Sequence, residues 1–206
     1  MRTLVIDSAT EACSVALFDN SFLVAGDCRM LGRGHAEQLV PMIAELPCQG
    51  QAERIAVALG PGSFTGVRVG LAAARALAFA WQAALIGYPT LDLVAAMARE
   101  RKGAVPLAVV MTGGHGEWFV QRFAASGSPA TPLASLKPGE ALAKADGGLA
   151  AGSQAEAFVA ASGSGEALPL WPDARAFPLL PQAAITEAVQ PLYGRPPDAQ
   201  LPQGTR

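Results

Sequence analysis

A glycine-rich run in the first half of the chain has the residue types that could bind a phosphate group. Residues 59–70 read LGPGSFTGVRVG, and glycines at this density let the backbone approach a ligand closely. The run follows an apolar, β-branched stretch that predicts a buried strand, and Ser63 or Thr65 can cap a helix that begins there. No GK[ST] follows, so the run is not a Walker loop. A strand, a glycine turn and a helix suit either phosphate binding or a helix held in close contact.

The two histidines of the chain are the side chains to test for metal or acid–base chemistry. His35 is followed by Glu37, but an HExxH zinc site needs a second histidine where this chain has Leu39. His115 lies in a glycine-rich turn, which predicts exposure to solvent and no catalytic role. No Ser or Cys lies in a recognisable nucleophile elbow. We therefore predict no catalytic residue and no metal site, and interpret His35 as a capping or interface histidine.

The helix that follows the glycine turn lacks the polar face of an ordinary surface helix. Its strongly polar residues are spaced seven apart and form one thin line: Arg68, Arg75 and Gln82. A helix that is apolar almost all round is covered on two sides, so one side packs on its own sheet and the other needs a second cover. The small residues Gly66, Gly70 and Ala73 would let that cover approach closely. The cover comes either from this chain, which would make the helix fully internal, or from a partner.

Hydrophobic periodicity in the first half predicts a sheet that mixes antiparallel and parallel strands. Strands are predicted at 2–6, 12–18, 22–27, 54–59 and 84–87. Helices are predicted at about 35–46, from Ser63 or Thr65 to Trp81, and at about 90–101. Alternation of strand and helix after residue 54 indicates parallel pairing with right-handed crossovers. Pro41 is expected to kink the first helix or to confine that helix to its first turn.

The second half begins with another strand–turn–strand unit. Strands are predicted at 105–111 and 117–124, a loop at 126–136, a helix at 138–144, a strand at 147–152 and a helix capped by Ser153 that ends at about 161. The unit resembles the start of the chain, which indicates a duplicated architecture.

Composition is typical of a globular protein. Of 206 residues, 51% are hydrophobic and 16% charged, with a net charge of −2 and a pI of about 5.7. Nucleic-acid binders usually carry a basic face, so we expect no tight binding of nucleic acid by this chain alone. The three cysteines are odd in number and lack metal-ligand spacing, which is typical of reduced thiols in a cytosol. With no signal-peptide or membrane-spanning pattern, we expect a soluble, cytoplasmic protein.

Four stretches of the sequence resemble the TsaB (YeaZ) family, bacterial subunits of the machinery that makes threonylcarbamoyladenosine in tRNA. They lie at 5–17 (VIDSATEACSVAL), 35–43 (HAEQLVPMI), 60–80 (GPGSFTGVRVGLAAARALAFA) and 191–199 (PLYGRPPDA), in the family's order. The resemblance implies the α/β fold of the actin-like, ribonuclease-H-like ATPase superfamily, with two small related lobes, each a mixed β-sheet with flanking helices. The lobes would span 1–103, with the partner-binding helices, and 104–193, followed by a flexible tail at 194–206.

The resemblance also implies a function. This chain would be a non-catalytic scaffold or activating subunit, with no activity alone. Its partner TsaD carries a metal and a paired-histidine motif absent here, and transfers the threonylcarbamoyl group to the adenosine beside the anticodon. A small ATPase, TsaE, completes the assembly. A stand-alone actin-like kinase or ATPase and a glycoprotease-like peptidase are the alternatives.

Further expectations about ligands and partners follow from the same resemblance. tRNA would be reached only through the complex, and the chain would form a homodimer when its partner is absent. No cofactor would be bound tightly, and ATP or ADP would have its place at the interface of the complex. The residues expected to bind the partner are His35, Leu39, Met42, Ile43, Pro61, Gly62, Ser63, Phe64, Thr65, Gly66, Arg68, Val69, Gly70, Ala73 and Leu77.

Two turns correspond to the phosphate-binding turns of ATP-hydrolysing relatives. Asp7, Ser8 and Thr10 lie in the first turn and are the candidate nucleotide-binding residues, with an ordinary polar hairpin turn as the interpretation we favour. In the second turn, the family usually has an acidic and then a basic residue where this chain has Thr112 and Gly114. A carboxylate that a hydrolysing site would use on its metal is thus missing, which weakens an ATPase assignment.

Overall fold

The computed structural model describes residues 1–143 and 147–194. Within these ranges the chain forms two five-stranded mixed sheets flanked by helices, which confirms the predicted fold class. No helix among the described residues combines the length and the apolar character needed to cross a membrane.

The first sheet joins an antiparallel meander to two parallel strands. Its strands are β1 (Arg2–Asp7), β2 (Ala12–Asp19), β3 (Phe22–Met30), β4 (Arg54–Ala58) and β5 (Ala84–Tyr88). Their order is β3-β2-β1-β4-β5, so β1 is central, with β2 antiparallel on one side and β4 parallel on the other. Their buried apolar side chains form the larger hydrophobic core.

Three helices belong to this first lobe: α1 (His35–Ala44), α2 (Phe64–Trp81) and α3 (Thr90–Lys102). As predicted, Ser63 caps α2, since its Oγ accepts a hydrogen bond from the Gly66 N–H at 3.3 Å. Pro41 lies in the second turn of α1 and the helix continues to Ala44, so the alternative that Pro41 confines the helix to its first turn is wrong. The proline is exposed on the outer side of the helix, where its ring meets solvent.

The second lobe repeats the mixed pattern. Its strands are β6 (Leu107–Thr112), β7 (Trp118–Phe123), β8 (Ala134–Leu136), β9 (Leu149–Ala151) and β10 (Glu166–Leu168), in the order β10-β9-β6-β7-β8. Its helices are α4 (Pro138–Leu142) and α5 (Ala155–Ser162). As β1 does in the first sheet, β6 pairs with an antiparallel strand on one side and a parallel strand on the other.

Two short strands differ from the sequence prediction. β8 lies at the end of the segment predicted as a loop at 126–136, and β10 was not predicted at all. Both are three residues long and lie at the edges of the sheet. Strands this short carry too little alternation of apolar and polar residues to be recognised from the sequence.

The helices of the second lobe also differ in their bounds. α4 ends at Leu142, and Lys144, the last residue of the predicted helix, lies outside the described residues. α5 begins after Gln154, so the prediction that Ser153 is its cap is wrong. The Ser153 Oγ accepts a hydrogen bond from the Thr112 N–H at 3.0 Å, which joins this turn to the end of β6.

After β10 the chain returns to the first lobe. A 3-10 segment at Ala174–Leu179 packs against β2, β3 and α3. Thr186 then pairs with Gly87, with N–H···O distances of 2.8 and 3.0 Å. The predicted division of the chain at 103 and 104 stays a prediction, and the predicted tail beyond Gly194 lies outside the described residues.

Candidate docking surface and interlobe cleft

The acid at the end of β1 is buried in the first lobe. Asp7 is fully buried, and its Oδ1 accepts a hydrogen bond from the Ala9 N–H at 3.0 Å. The Tyr88 hydroxyl lies 3.4 Å from Oδ2 and donates to the Ile6 carbonyl oxygen at 3.1 Å. Burial raises the pKa of Asp7 to about 7. A carboxyl group in this setting is protonated in part at neutral pH and does not face a ligand.

Ser8 and Thr10, the other two predicted nucleotide-binding residues, have different surroundings. Ser8 is buried, and its hydroxyl donates a hydrogen bond to the Gly66 carbonyl oxygen at 2.9 Å. Thr10 lines the cleft between the lobes, and its Oγ1 accepts a hydrogen bond from the Ala12 N–H at 3.3 Å. Of the three predicted residues, the structure therefore leaves only Thr10 beside the cleft. The prediction that Asp7 and Ser8 contact a nucleotide is therefore corrected, because both side chains are buried.

The glycines of the run at 59–70 are used for close packing within the chain. A Cβ atom at Gly62 would clash with the carbonyl oxygen of Ala9, and one at Gly66 with that of Ser8. At Gly70 a Cβ would lie 2.5 Å from the Ser8 Oγ. These contacts let α2 lie directly on the turn after β1. The prediction that a partner helix packs on the small residues of α2 is therefore corrected. Gly66 and Gly70 face β1 and leave no surface for such a helix.

The four residues of α1 predicted to contact a partner also face inward. His35, Leu39, Met42 and Ile43 are all buried, so they cannot contact a partner in this fold. The Nε2 of His35 is buried without a hydrogen-bond partner among the described residues. The outer side of α1 carries other residues: Ala36, Glu37, Val40, Pro41 and Ala44.

The opposite side of α2 is largely apolar and is exposed in the part of the chain that the structure describes. We call it the α2 outer face; its exposed residues are Phe64, Thr65, Arg68, Ala72, Arg75, Ala76, Phe79 and Ala80. Phe64 is 65% exposed and Phe79 is 88% exposed, which excludes the fully internal helix that the pattern left open. An apolar surface of this kind marks a binding site more often than isolated exposed side chains do.

The remaining predicted partner-binding residues differ in exposure. Ser63, Phe64, Thr65 and Arg68 are exposed at the start of α2, next to the half-buried Gly62. The other four predicted positions are buried or half-buried: Pro61 is buried, and Val69, Ala73 and Leu77 are half-buried. Ala72, Ala76, Phe79 and Ala80 were missed, although a spacing of four residues from Phe64 leads to all but Phe79. Contact of this surface with a partner stays a prediction.

A cleft of about 580 Å³ separates the two lobes. It is lined by the turn after β1, the start of α2, the turn after β6, Phe119 and residues 192–194. Glu11 is its one acidic residue among the described lining residues, and the Oε2 of Glu11 is buried without a hydrogen-bond partner. Arg68 and His115 are its basic residues, so His115 faces the cleft.

Thr112, at the end of β6, lines the cleft and belongs to a neutral polar cluster. The Thr112 Oγ1 lies 3.0 Å from the Ser153 Oγ and accepts a hydrogen bond from the Gln154 Nε2 at 3.0 Å. With Asp7 buried and Thr112 held by neutral groups, the described lining of the cleft lacks the pair of carboxylates that would hold a catalytic metal. Across residues 1–143 and 147–194, no three His, Cys, Asp or Glu side chains are grouped so that they could hold a metal ion.

Comparison with known proteins gives a consistent set of relatives. A family model described as TsaD, tRNA N6-adenosine threonylcarbamoyltransferase, matches residues 29–168. The tRNA threonylcarbamoyladenosine biosynthesis protein TsaB of Escherichia coli (strain K12) is 38% identical over 124 residues, which cover 58% of this chain and 53% of that protein. The TsaB of Haemophilus influenzae is 38% identical over 109 residues, or 48% and 44% of the two chains. The chain thus spans about half the length of the curated relatives it matches.

Solved structures extend the similarity over nearly the whole chain. YeaZ from Pseudomonas aeruginosa superposes with a TM-score of 0.76 at 25% identity, covering 93% of this chain and 99% of that one. The two lobes therefore have the same arrangement of elements as that structure.

Proposed function

The chain belongs to the TsaD family, as a member of its TsaB (YeaZ) group, and on this basis we propose that it is a non-catalytic subunit of a tRNA threonylcarbamoyladenosine-modifying complex. Membership supports a role in the biosynthesis of threonylcarbamoyladenosine. The observation that carries the subunit proposal is the α2 outer face, an exposed apolar surface beside a cleft whose described lining has no pair of catalytic carboxylates.

The proposed partner is a TsaD-type transferase, which would carry the metal and the chemistry. This chain would dock on it through the α2 outer face and the adjoining outer side of α1. A TsaE-type ATPase would complete the assembly. In the absence of the partner, the same apolar surface would support a weaker homodimer, since a two-fold contact reuses one patch on both copies.

Ligands are proposed for the complex and not for the lone chain. A net charge of −2 gives little attraction for phosphates, so tRNA would bind through the assembled complex. ATP or ADP would lie at the interface between subunits, and the lone chain would hold no cofactor tightly. The cytoplasmic location expected from the sequence goes with this function.

The alternatives gain no support from the site. A kinase or ATPase would need acidic residues in both turns, but Asp7 is buried and the second turn has Thr112. A peptidase would need an activated nucleophile or a metal site. The buried His35 has no hydrogen-bond partner among the described residues, and no group of metal ligands is found there.

Isothermal titration of this chain with the TsaD-type transferase from the same organism tests the proposal. We expect the natural chain to bind, and Ala76→Glu on the α2 outer face to weaken binding at least tenfold, because a carboxylate would be buried at the interface. Ala157→Glu, at an exposed position of α5, is the matched control and should bind normally. If the natural chain does not bind the transferase, the proposed function is wrong.

A further inference from the structure

The last described residues of the chain lie along α2. We call residues 186–194 the C-terminal strap. Arg75 donates a hydrogen bond to the Val189 carbonyl oxygen at 2.8 Å, and the Leu192 N–H donates to the Leu59 carbonyl oxygen at 2.7 Å. Arg68 donates to the Tyr193 hydroxyl at 2.8 Å. Both arginines of α2 therefore hold the strap, and the strap borders the α2 outer face.

Three side chains form a connected group where the strap meets the start of α2. The Arg68 guanidinium carbon lies 3.2 Å from the centre of the Phe64 ring and 5.6 Å from that of Tyr193. The two rings are 6.3 Å apart. Phe64 is 65% exposed and Tyr193 is 52% exposed. Aromatic rings held in place by a cation lose little conformational freedom when a partner covers them.

The charge on this surface indicates what would cover it. α2 contains two arginines and no acidic residue. Neither Arg68 nor Arg75 forms an ion pair with a carboxylate in the described part of the chain. Guanidinium groups bind carboxylates through paired N–H donors. A second copy of this chain would present the same two arginines and a single carboxylate, Glu187 of the strap, whereas a more acidic and apolar surface would complement both arginines.

We propose that the C-terminal strap is part of the docking surface and that Tyr193 and Arg68 together bind a segment of the partner that carries a carboxylate beside apolar side chains. The carboxylate pairs with Arg68, and the apolar side chains cover Phe64 and Tyr193. This inference rests on the proposed function, because the partner is the transferase named there. It adds a segment far from α2 in sequence to the interface, and it defines the partner's chemistry.

The test of the strap compares two exposed aromatic residues. We expect Tyr193→Ala to weaken binding to the purified transferase at least tenfold in titration calorimetry. Phe22→Ala is the matched control, since Phe22 is 78% exposed but lies on the edge strand β3. Tyr193→Phe keeps the ring and removes the hydroxyl that meets Arg68. The logarithm of its affinity should therefore fall by about a quarter or less of the fall expected for Tyr193→Ala. Unfolding curves of all three variants should match that of the natural chain.

The test of the charge uses Arg68→Gln, with Arg101→Gln on the exposed side of α3 as its control. We expect Arg68→Gln to weaken binding and to reduce its dependence on salt, and Arg101→Gln to change neither. Unchanged binding by Tyr193→Ala and Arg68→Gln would overturn the inference and leave the proposed function standing. No binding by the natural chain would overturn both. Loss of a homodimer by these variants, with unchanged binding to the transferase, would assign the surface to a second copy and overturn the inference.

Discussion

The Ser8 hydroxyl donates a hydrogen bond to the carbonyl oxygen of Gly66 at 2.9 Å, which ties the turn after β1 to the first turn of α2. Both residues are buried. Ser8 is therefore covered by a helix of the same chain, whereas Thr10 of the same turn lines the cleft. The contact directs the opposite side of α2, which is the proposed docking surface, outward.

The same contact predicts a cost for any side chain at Gly66. A Cβ in Gly66→Ala would clash with the Ser8 carbonyl oxygen, which is backbone and cannot rotate away. We expect a loss of about 1–3 kcal/mol in the free energy of unfolding, as for overpacked cores. Urea unfolding measures it. Gly139→Ala is the control, because nothing lies within 4 Å of its new Cβ in α4. Equal stability of the two variants would show that α2 moves away at no cost.

The raised pKa of the buried Asp7 carboxyl group predicts how the stability of the fold depends on pH. Burial raises its pKa from 3.8 to about 7, so the folded chain holds a proton that the unfolded chain has lost. The stability from this proton is fully present below about pH 4 and is lost as the pH rises to about 7. Asp92, whose pKa burial raises to about 6, acts in the same direction. We expect Asp7→Asn to flatten the fall in unfolding free energy between pH 5 and pH 8, which chemical denaturation at each pH measures. An unchanged slope would contradict the assignment.

The exposed ring of Phe79 predicts separate effects on folding and association. Phe79→Lys should change the free energy of unfolding by about 0.5 kcal/mol or less, because the ring is 88% exposed. It should abolish any homodimer seen by size-exclusion chromatography with light scattering, since a charge would replace the apolar contact. Phe22→Lys on β3 is the control and should leave the dimer intact. A dimer that survives Phe79→Lys uses another surface.

The cleft predicts an absence of ATP turnover by the lone chain. Asp7 is buried and Thr112 is bonded to Ser153 and Gln154, so within residues 1–143 and 147–194 no pair of carboxylates is placed to face a bound metal nucleotide. We expect phosphate release at the background rate with Mg²⁺ and ATP. Turnover that disappears in Thr10→Ala, a residue that does line the cleft, would show that a hydrolytic site exists.

Local patterns determined much of this architecture. The glycine turn with the Ser63 cap predicts the start of α2, and the apolar runs predict β1, β2, β4 and β5 with bounds close to those observed. These elements depend on nearest neighbours and on periodicities of 2 and 3.6 residues, which a sequence displays directly. The short strands β8 and β10 depend on pairing with distant strands, and three residues display no period.

By itself the sequence determined that α2 is apolar almost all round and that its glycines permit close contact, but not which side makes it. Helical spacing gives the angle between Gly66 and Phe64 around the axis and says nothing of what lies on either side. Only the tertiary structure placed Ser8 against Gly66 and Gly70, and left Phe64, Arg68 and Phe79 outward. Likewise, no local pattern brings Tyr193 to Arg68 across 125 positions of chain. Contacts over such separations are set by the packing of the whole fold, because many weak contacts together decide which surfaces meet.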